Sequence, residues 1–354
     1  MSKLLSIIIP TYNMEKYLDK GLDSLIVSEK LWGYLEVLII NDGSKDKSSD
    51  IAHRYEQKNP ELFRVIDKEN GNYGSCINRG IKEASGKYIK IMDADDSFDK
   101  DGLENVLLSL IDVDADLILT KVIFVIKGRE KNSDQEINLE PNKEYHFSDP
   151  LVKNILNDIA MHNVMYKKAI LDKINYKQQE GISYTDQEWI YTPMVAVNSV
   201  LYLNETVYRY LIGREGQTMN PSVQLRKIDD TKKGIIRQAD IYELCKAKNI
   251  DAGHLKYLEL KAVNRARNFY RYCLLYNSNR IQNNYVKSFD KELLLHSRTI
   301  YLLLNKEYVN NYFKFAFIKC WRDSGKINPF IIFVVNLLKT LKNIMTQISE
   351  KRIV

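Results

Sequence analysis

The sequence predicts an α/β protein in which a mostly parallel sheet is flanked by helices, followed by an α-helical C-terminal region. Two observations predict this class. Four short apolar runs alternate with amphipathic stretches over about the first hundred residues, and the sign of the net charge reverses near residue 220. Strands that alternate with helices pair in parallel through right-handed crossovers. We therefore expect an N-terminal α/β domain over residues 1–220 and a helical region over 221–354.

The predicted elements follow one another in a β-α-β-α-β-α-β order. Strands are predicted over 6–10, 35–40, 62–66 and 87–92, each an apolar run of the length typical of a buried strand. The helix predicted over 14–28 places Leu18, Leu22 and Leu25 on one face, with Gly21 allowing close packing. Ile51 and Tyr55 mark the inner face of the next helix. The third helix is predicted to bury the face formed by Cys76, Ile77, Ile81 and Ala84.

Polar clusters follow three of these strands: Pro-Thr-Tyr-Asn at 10–13, Asn-Asp-Gly-Ser at 41–44 and Asp-Ala-Asp-Asp at 93–96. In parallel sheets ligands bind beyond the carboxyl ends of the strands, so the clusters predict one site. Three carboxylates within four residues repel one another, and a hard cation such as Mg²⁺ or Mn²⁺ would neutralise them. The alternative is a solvated acidic turn that caps the next helix.

Asp42 has two interpretations. It can cap the helix that follows, a role for which Ser44 is better suited. It can also accept the imide N–H of uracil or thymine, which cytosine lacks. The second interpretation is favoured.

Three stretches of the chain resemble a known family. The strings IIIPTYNMEKYL, EVLIINDGSKDKS and GSCINRGIKEASGKYIKIMDADD are similar to the nucleotide-binding half of family 2 inverting glycosyltransferases, which have the GT-A fold. The similarity is dense over residues 4–125 and looser to about 220. It implies a nucleotide-sugar site, in which Asp93 and Asp95 form the DxD pair that binds ribose and metal. The other implied contacts are Pro10, Thr11, Tyr12, Asp42, Asn72, Asn78 and Ala94.

The resemblance also implies a catalytic base near residue 186. Relatives carry a Glu-Asp pair here, and in this chain Thr185 precedes Asp186. The segment is predicted to lead into an apolar helix that begins at Ile190. Asp186 is the predicted base and Glu188 the alternative, while capping of a helix by Thr185 or Asp186 is compatible with either. Arg214, in a glycine-flanked loop, is predicted to close over the diphosphate, or else to pair with Glu215 at the surface. His162 is interpreted as a structural hydrogen-bonding residue.

These parts predict a metal-dependent inverting glycosyltransferase, and the resemblance implies that it acts in cell-surface polysaccharide synthesis. A UDP-sugar is the expected donor, Mn²⁺ or Mg²⁺ the cofactor, and a saccharide or lipid-linked saccharide the acceptor. Two alternatives stay open: a sugar-nucleotide-binding protein without catalysis, and a nucleotidyltransferase, which would release pyrophosphate. The sequence shows no recognisable Ser-His-Asp or Cys-His arrangement.

The C-terminal region is basic, with 25 Lys and Arg against 11 Asp and Glu over residues 221–354. It predicts amphipathic helices near 227–247, 253–277, 287–304, 307–320 and 328–347. The apolar run 329–338 is shorter than the ~20 residues that span a bilayer. With Lys339, Lys342, Lys351 and Arg352 it favours a helix lying on an anionic membrane, at the cytoplasmic face. The alternative is a bundle that packs on the first domain or forms a homodimer. Nucleic-acid binding is not favoured, and four cysteines without metal-type spacing indicate a reducing compartment.

Overall fold

The computed structural model describes residues 3–132, 136–214, 217, 220–309, 315–335, 337–338 and 340. The chain divides into two compact units. Residues 1–230 and 251–254 form the first unit, and residues 231–250 and 255–354 form the second. The sequence places a boundary at residue 220, and the structure assigns 221–230 to the first unit.

The first unit is built on a sheet that contains ten strands among the described residues. They are β1 (Leu5–Thr11), β2 (Leu35–Asn41), β3 (Phe63–Asp67), β4 (Tyr88–Ile91), β5 (Ser97–Phe98), β6 (Leu117–Ile126), β7 (Arg129–Asn132), β8 (Glu144–His146), β9 (Val164–Lys167) and β10 (Ser199–Ile212). The order is β3-β2-β1-β4-β9-β6-β10-β5, with β7 beside β6 and β8 beside β10. Strands β1 to β4 pair in parallel, as predicted, and so do β6 and β10. The remaining pairings are antiparallel.

Helices connect these strands. They are α1 (Leu18–Asp23), α2 (Ser48–Lys58), α3 (Asn72–Glu83), α4 (Lys100–Ser109), α5 (Pro150–Leu156), α6 (Lys168–Lys173), α7 (Asp186–Trp189) and α8 (Pro221–Arg226). The predicted inner faces are confirmed: Leu18, Leu22 and Leu25 are fully buried, and Cys76 and Ile77 almost so.

Gly21 permits the close approach that the sequence predicts for α1. A Cβ at this position would lie 2.9 Å from the carbonyl oxygen of Asp96. Any larger residue would therefore push α1 away from the acidic strand end.

Three local predictions are wrong. The helix predicted over 14–28 is confined to α1, and a 3₁₀ helix follows at Glu29–Tyr34. Ser44 does not cap a helix, because α2 begins only at Ser48, whose amide donates to Asp46 Oδ1 at 3.0 Å. The apolar helix predicted from residue 190 is absent: α7 ends at Trp189, and Pro193, which has no N–H to donate, starts a 3₁₀ helix over Pro193–Ala196.

The C-terminal region is helical, as predicted. Its helices are α9 (Ile228–Ala247), α10 (Ala252–Arg271), α11 (Asn283–His296), α12 (Arg298–Leu303) and α13 (Phe317–Ser324). A π-helix at Tyr272–Tyr276 follows α10. The helix predicted over 287–304 is divided, because Ser297 is extended and its Oγ accepts from the Ile300 amide at 3.1 Å.

Residues 329–335 and 337–338 are helical, whereas residues 336, 339 and 341–354 lie outside the described residues, and with them Lys339, Lys342, Lys351 and Arg352. In the part of the chain that the structure describes, no helix has both the length and the apolar character needed to span a bilayer. The four cysteines are free thiols.

Candidate active site

A cavity of about 420 Å³ opens at the carboxyl ends of β1, β2 and β4. The predicted site residues that line it are Pro10, Thr11, Tyr12, Asp42, Asn72, Asp93, Ala94, Asp95, Asp186 and Arg214. Further lining residues include Tyr73, Met161, His162, Ile182, Tyr184, Tyr210 and Gln217. Because parallel strands end at the same edge, three clusters that are far apart in sequence meet here.

Asp42 is held from one side by a lysine that the sequence analysis did not single out. Lys68 Nζ lies 2.5 Å from Asp42 Oδ1, and the Gly71 amide donates to the same oxygen at 2.9 Å. The Asp42 side chain is only 4% exposed, so the ammonium compensates a buried charge. The sequence feature that could have identified Lys68 is its position directly after β3, at the same edge of the sheet as Asp42.

The three carboxylates after β4 have different partners. Tyr73 donates its hydroxyl to Asp93 Oδ1 at 2.7 Å. Arg214 Nε donates to Asp95 Oδ2. Asp96 accepts from the Tyr208 hydroxyl and from the Leu211 amide, both at 2.7 Å. Asp96 is therefore fixed on both oxygens, whereas Asp93 and Asp95 face the cavity.

Burial and mutual repulsion disfavour the charged forms of this cluster. Burial, followed by the charge of Asp95, raises the pKa of Asp93. Burial and the charges of Asp93 and Asp95 raise the pKa of Asp96. A positive charge placed among these groups would relieve the repulsion.

His162 completes a set of donors suited to a metal ion. One ligand atom each of Asp93, Asp96 and His162 lie within 4.8 Å of one another. His162 Nε2 is buried, lies 4.0 Å from Asp93 Oδ2 and has no hydrogen-bond partner among the described residues, contrary to the structural role expected for it. Burial lowers the pKa of His162 to about 3, so the ring is neutral. Carboxylate oxygens suit Mg²⁺ and Mn²⁺, and an imidazole nitrogen is a ligand for transition metals, so a mixed set of this kind fits Mn²⁺ better than Mg²⁺.

Asp186 begins α7 and borders the same cavity. Its Oδ2 accepts from Gln187 Nε2 at 2.9 Å. Thr185 occupies the N-cap position but makes no capping bond, because Gln178 Nε2 donates to its Oγ1 at 2.9 Å. Glu188, the alternative base, is buried outside the cavity lining and accepts from the Gln179 amide at 2.9 Å. The geometry thus favours Asp186 over Glu188.

The structure places Asn78 elsewhere. It does not line the cavity, and its amide is used to hold the segment before α7. Asn78 Nδ2 donates to Gln178 O at 2.9 Å and to Glu180 Oε1 at 2.7 Å, while Asn78 Oδ1 accepts from the Gln178 amide at 2.8 Å. The contacts of Asn78 in the structure therefore position this loop, and nucleotide binding by Asn78 stays a prediction.

Arg214 faces the cavity rather than the surface. Besides pairing with Asp95, its guanidinium lies 5.5 Å from the centre of the Tyr17 ring. Glu215, the surface partner considered for it, lies outside the described residues. Gln217 closes the turn after β10, since its Nε2 donates to Leu211 O at 2.8 Å and its Oε1 accepts from the Gly213 amide at 2.9 Å.

Comparison with known proteins decides the family. The model of Glycosyl transferase family 2 matches residues 6–175. The glycosyltransferase MG025 of Mycoplasma genitalium is 30% identical over 224 residues, which cover 62% of this chain and 71% of MG025. The chain belongs to glycosyl transferase family 2. The predictions of a family 2 glycosyltransferase and of its fold are thus confirmed.

Other similarities agree with this assignment. The glycosyltransferase EpsH of Bacillus subtilis is 27% identical over 212 residues, and the chain spans 60% of its length. GgaB, a minor teichoic acid biosynthesis protein of the same organism, is 33% identical over 148 residues, which are 40% of this chain and 16% of GgaB. The crystal structure of S. aureus TarS 1–349 in complex with UDP-GlcNAc has a TM-score of 0.60 at 18% identity, covering 87% of this chain and 93% of that one. This likeness shows a shared fold.

Proposed function

We propose that this family 2 glycosyltransferase is metal-dependent and inverting. It moves a sugar from a UDP-sugar to a saccharide or lipid-linked saccharide during synthesis of a cell-surface polymer. The observation that carries the proposal is the meeting of Asp42, the pair Asp93 and Asp95, and Asp186 in one cavity. The name of GgaB supports the polymer context, and the UDP-GlcNAc bound to TarS supports the donor class.

Donor recognition rests on Asp42. A carboxylate accepts hydrogen bonds and donates none, so it suits the imide N–H of uracil or thymine. Lys68 and the Gly71 amide hold the carboxylate in place at the end of the cavity formed by β1 and β2. Pro10, Thr11, Tyr12 and Asn72 line the same region and would surround the nucleoside.

Asp93 and Asp95 would hold the Mn²⁺ or Mg²⁺ ion, and His162 Nε2 offers a further ligand. When bound, such an ion supplies positive charge to the diphosphate leaving group. Arg214, now paired with Asp95, lies where its guanidinium would contact phosphate oxygens, for which its two-pronged geometry is suited. Tyr73 and Tyr208 fix the orientations of Asp93 and Asp96.

Asp186 would act as the catalytic base. Its carboxylate takes the proton of the acceptor hydroxyl while that oxygen forms a bond to the anomeric carbon of the donor. The bond from the anomeric carbon to the phosphate oxygen breaks in the same step, and its electron pair leaves with UDP. A single displacement inverts the anomeric centre and needs no nucleophile from the protein.

Turnover of a donor panel tests this proposal. The purified protein is incubated with UDP-, GDP-, CDP-, dTDP- and ADP-sugars, with Mn²⁺ or with EDTA, and nucleoside diphosphate and pyrophosphate are quantified. We expect release of UDP that requires the metal and is lost in Asp186→Asn but retained in Asp158→Asn, the same change at an exposed residue outside the cavity lining. Pyrophosphate as the product would indicate a nucleotidyltransferase. UDP binding without any turnover would indicate a binding protein.

We also propose that the second unit associates with an anionic membrane surface. In the helical stretches 329–335 and 337–338, Phe330 is 69% exposed and Phe333 62%, and Leu337 and Leu338 are about half-exposed. Positions 330, 333, 337 and 338 share one helical face. Residues 221–354 carry an excess of Lys and Arg, which favours anionic headgroups.

Flotation with vesicles of phosphatidylglycerol and phosphatidylcholine tests the membrane proposal. The double variant Phe330→Ser/Phe333→Ser should lose binding, because it removes the two largest exposed apolar groups of that face. Leu295→Ser is the control, since Leu295 is 84% exposed in α11. Equal flotation of the double variant and the wild type would refute this proposal.

A further inference from the structure

Tyr184 has a backbone conformation that its side chain disfavours. Its φ is +61°, in the left-handed region. Seven non-glycine residues of the described chain have positive φ, and five of them are asparagines, which tolerate this region. Lys127 is the sixth and lies beside Gly128 in the exposed turn between β6 and β7. Tyr184 is the one aromatic residue in this set. Unlike Lys127, it does not lie in a turn between two adjacent strands, so such a turn does not explain its positive φ.

The chain on both sides of Tyr184 is anchored, so the conformation is imposed. The Ser183 amide donates to Asp230 Oδ2 at 3.0 Å. Gln178 Nε2 donates to both the side-chain and the main-chain oxygen of Thr185, at 2.9 and 3.1 Å. Strained residues persist where their surroundings determine them, and they cluster at ligand-binding sites.

Further contacts hold the start of this segment against α3. Asn78 Nδ2 donates to the carbonyl oxygen of Gln178, and Asn78 Oδ1 accepts from the amide of the same residue. Gly74 lies so close to the segment that a Cβ there would be 1.9 Å from Gln179 O. The fold therefore presents residues 183–186 as a fixed part of the cavity wall.

Tyr184 lines the cavity two residues before Asp186. An acceptor must bring a hydroxyl to the Asp186 carboxylate, so the lining beside Asp186 is where an acceptor sugar would lie. A pyranose has an apolar C–H face, and aromatic rings supply large, rigid contact surfaces for such faces.

We propose that Tyr184 is an acceptor-binding residue, whose ring packs against the terminal pyranose of the acceptor and holds its hydroxyl at Asp186. The inference rests on the proposed glycosyl transfer and deepens it by assigning the acceptor subsite. Packing against a C–H face discriminates little between sugars, so the subsite should accept several pyranosides weakly.

Two substitutions separate the ring from the backbone conformation. Tyr184→Phe keeps the ring. Tyr184→Asn removes it and tolerates positive φ. Lys127→Asn makes the same backbone change in a turn outside the cavity lining and serves as the matched control. The probes are the methyl β-glycosides of glucose, galactose and N-acetylglucosamine. Their binding is measured by saturation-transfer NMR with UDP and diamagnetic Mg²⁺ present.

We expect the wild type, Tyr184→Phe and Lys127→Asn to bind the glycosides alike, and Tyr184→Asn to bind them about tenfold more weakly. All four proteins should show the same stabilisation by UDP. Tyr184→Asn should have an unchanged Tm or one raised by about 2–4 °C, because strain is relieved.

Three results would overturn the assignment of Tyr184: equal glycoside binding by Tyr184→Asn, a Tm of that variant several degrees below the wild type, or no glycoside binding by a wild type that UDP stabilises. A wild type that UDP does not stabilise would instead overturn the proposed function, and this inference with it.

Discussion

Replacing Lys68 by methionine tests how the protein holds the carboxylate assigned to base recognition. Lys68 Nζ lies 2.5 Å from Asp42 Oδ1, and the Asp42 and Lys68 side chains are 4% and 17% exposed. Removing one partner of a fully buried ion pair costs about 3–5 kcal/mol, because the other charge is left uncompensated. The Gly71 amide remains bound to Asp42, and Lys68 is partly solvated. We therefore expect a loss of about 2–3 kcal/mol in the free energy of unfolding.

A double-mutant cycle with Asp42→Asn isolates the pair. Two of the tryptophans, Trp32 and Trp189, lie in the first unit and report its urea unfolding by fluorescence. The coupling between the two substitutions should be about 1–3 kcal/mol. Lys143→Met removes an ion pair whose partners are more than half exposed and should leave the urea midpoint unchanged. A coupling below about 0.5 kcal/mol would refute the claim that Lys68 compensates a buried charge.

Three further predictions concern the base, the loop and a surface histidine. Asp186→Asn should keep the stabilisation by UDP and lower transfer at least about 10²-fold in a coupled UDP-release assay; full activity would exclude it as the base. Gly74→Ala should lower the free energy of unfolding by about 1–3 kcal/mol in urea, since its Cβ would lie 1.9 Å from Gln179 O, and an unchanged midpoint would contradict that contact. The hydrogen bond to Asp67 raises the pKa of His53, so the charged ring stabilises the fold below the unfolded pKa of about 6.5, and this contribution disappears as the pH rises through the folded pKa. His53→Gln should therefore lose less than about 1 kcal/mol near pH 5.5 and nothing near pH 9, and equal losses at both would exclude the linkage.

Much of the site could be predicted because it depends on local patterns. Apolar runs with strand length and intervening helical faces predict a parallel sheet, and the sheet then brings its carboxyl ends together. Tyr12 and Asp42 directly follow β1 and β2, and Asp93 lies two residues beyond β4. Their meeting in one cavity therefore follows from the order of the elements, without knowledge of any side-chain contact.

The partners of these residues could not be predicted, since they come from distant parts of the chain. Asn78 bonds to a segment 100 residues away, and Arg214 pairs with Asp95 across 119 residues. The helical and strand periodicities of a sequence do not predict contacts between residues so far apart. The resemblance suggested Asn78 as a nucleotide contact, whereas its hydrogen bonds to Gln178 join parts of the chain that no local pattern connects. His162 was misjudged for the same reason, because whether a histidine nitrogen has a partner depends on the packing around it.

Pro193 explains why the helix predicted after Trp189 does not form. The apolar residues after Trp189 suggested a helix, yet Pro193 cannot donate the hydrogen bond that a helix interior requires. The chain instead forms a 3₁₀ helix at Pro193–Ala196, beyond the one-turn helix that carries Asp186.

Thermal stabilisation by nucleoside diphosphates tests the central claim most directly. The protein is melted with UDP, GDP, CDP, dTDP or ADP, each with Mn²⁺, with Mg²⁺ or with EDTA, and Asp42→Asn and Asp95→Asn are melted in parallel. The site described here predicts a rise in Tm with UDP that requires the metal and is lost in both variants. No rise with any nucleotide, or the same rise in EDTA and in both variants, would contradict it.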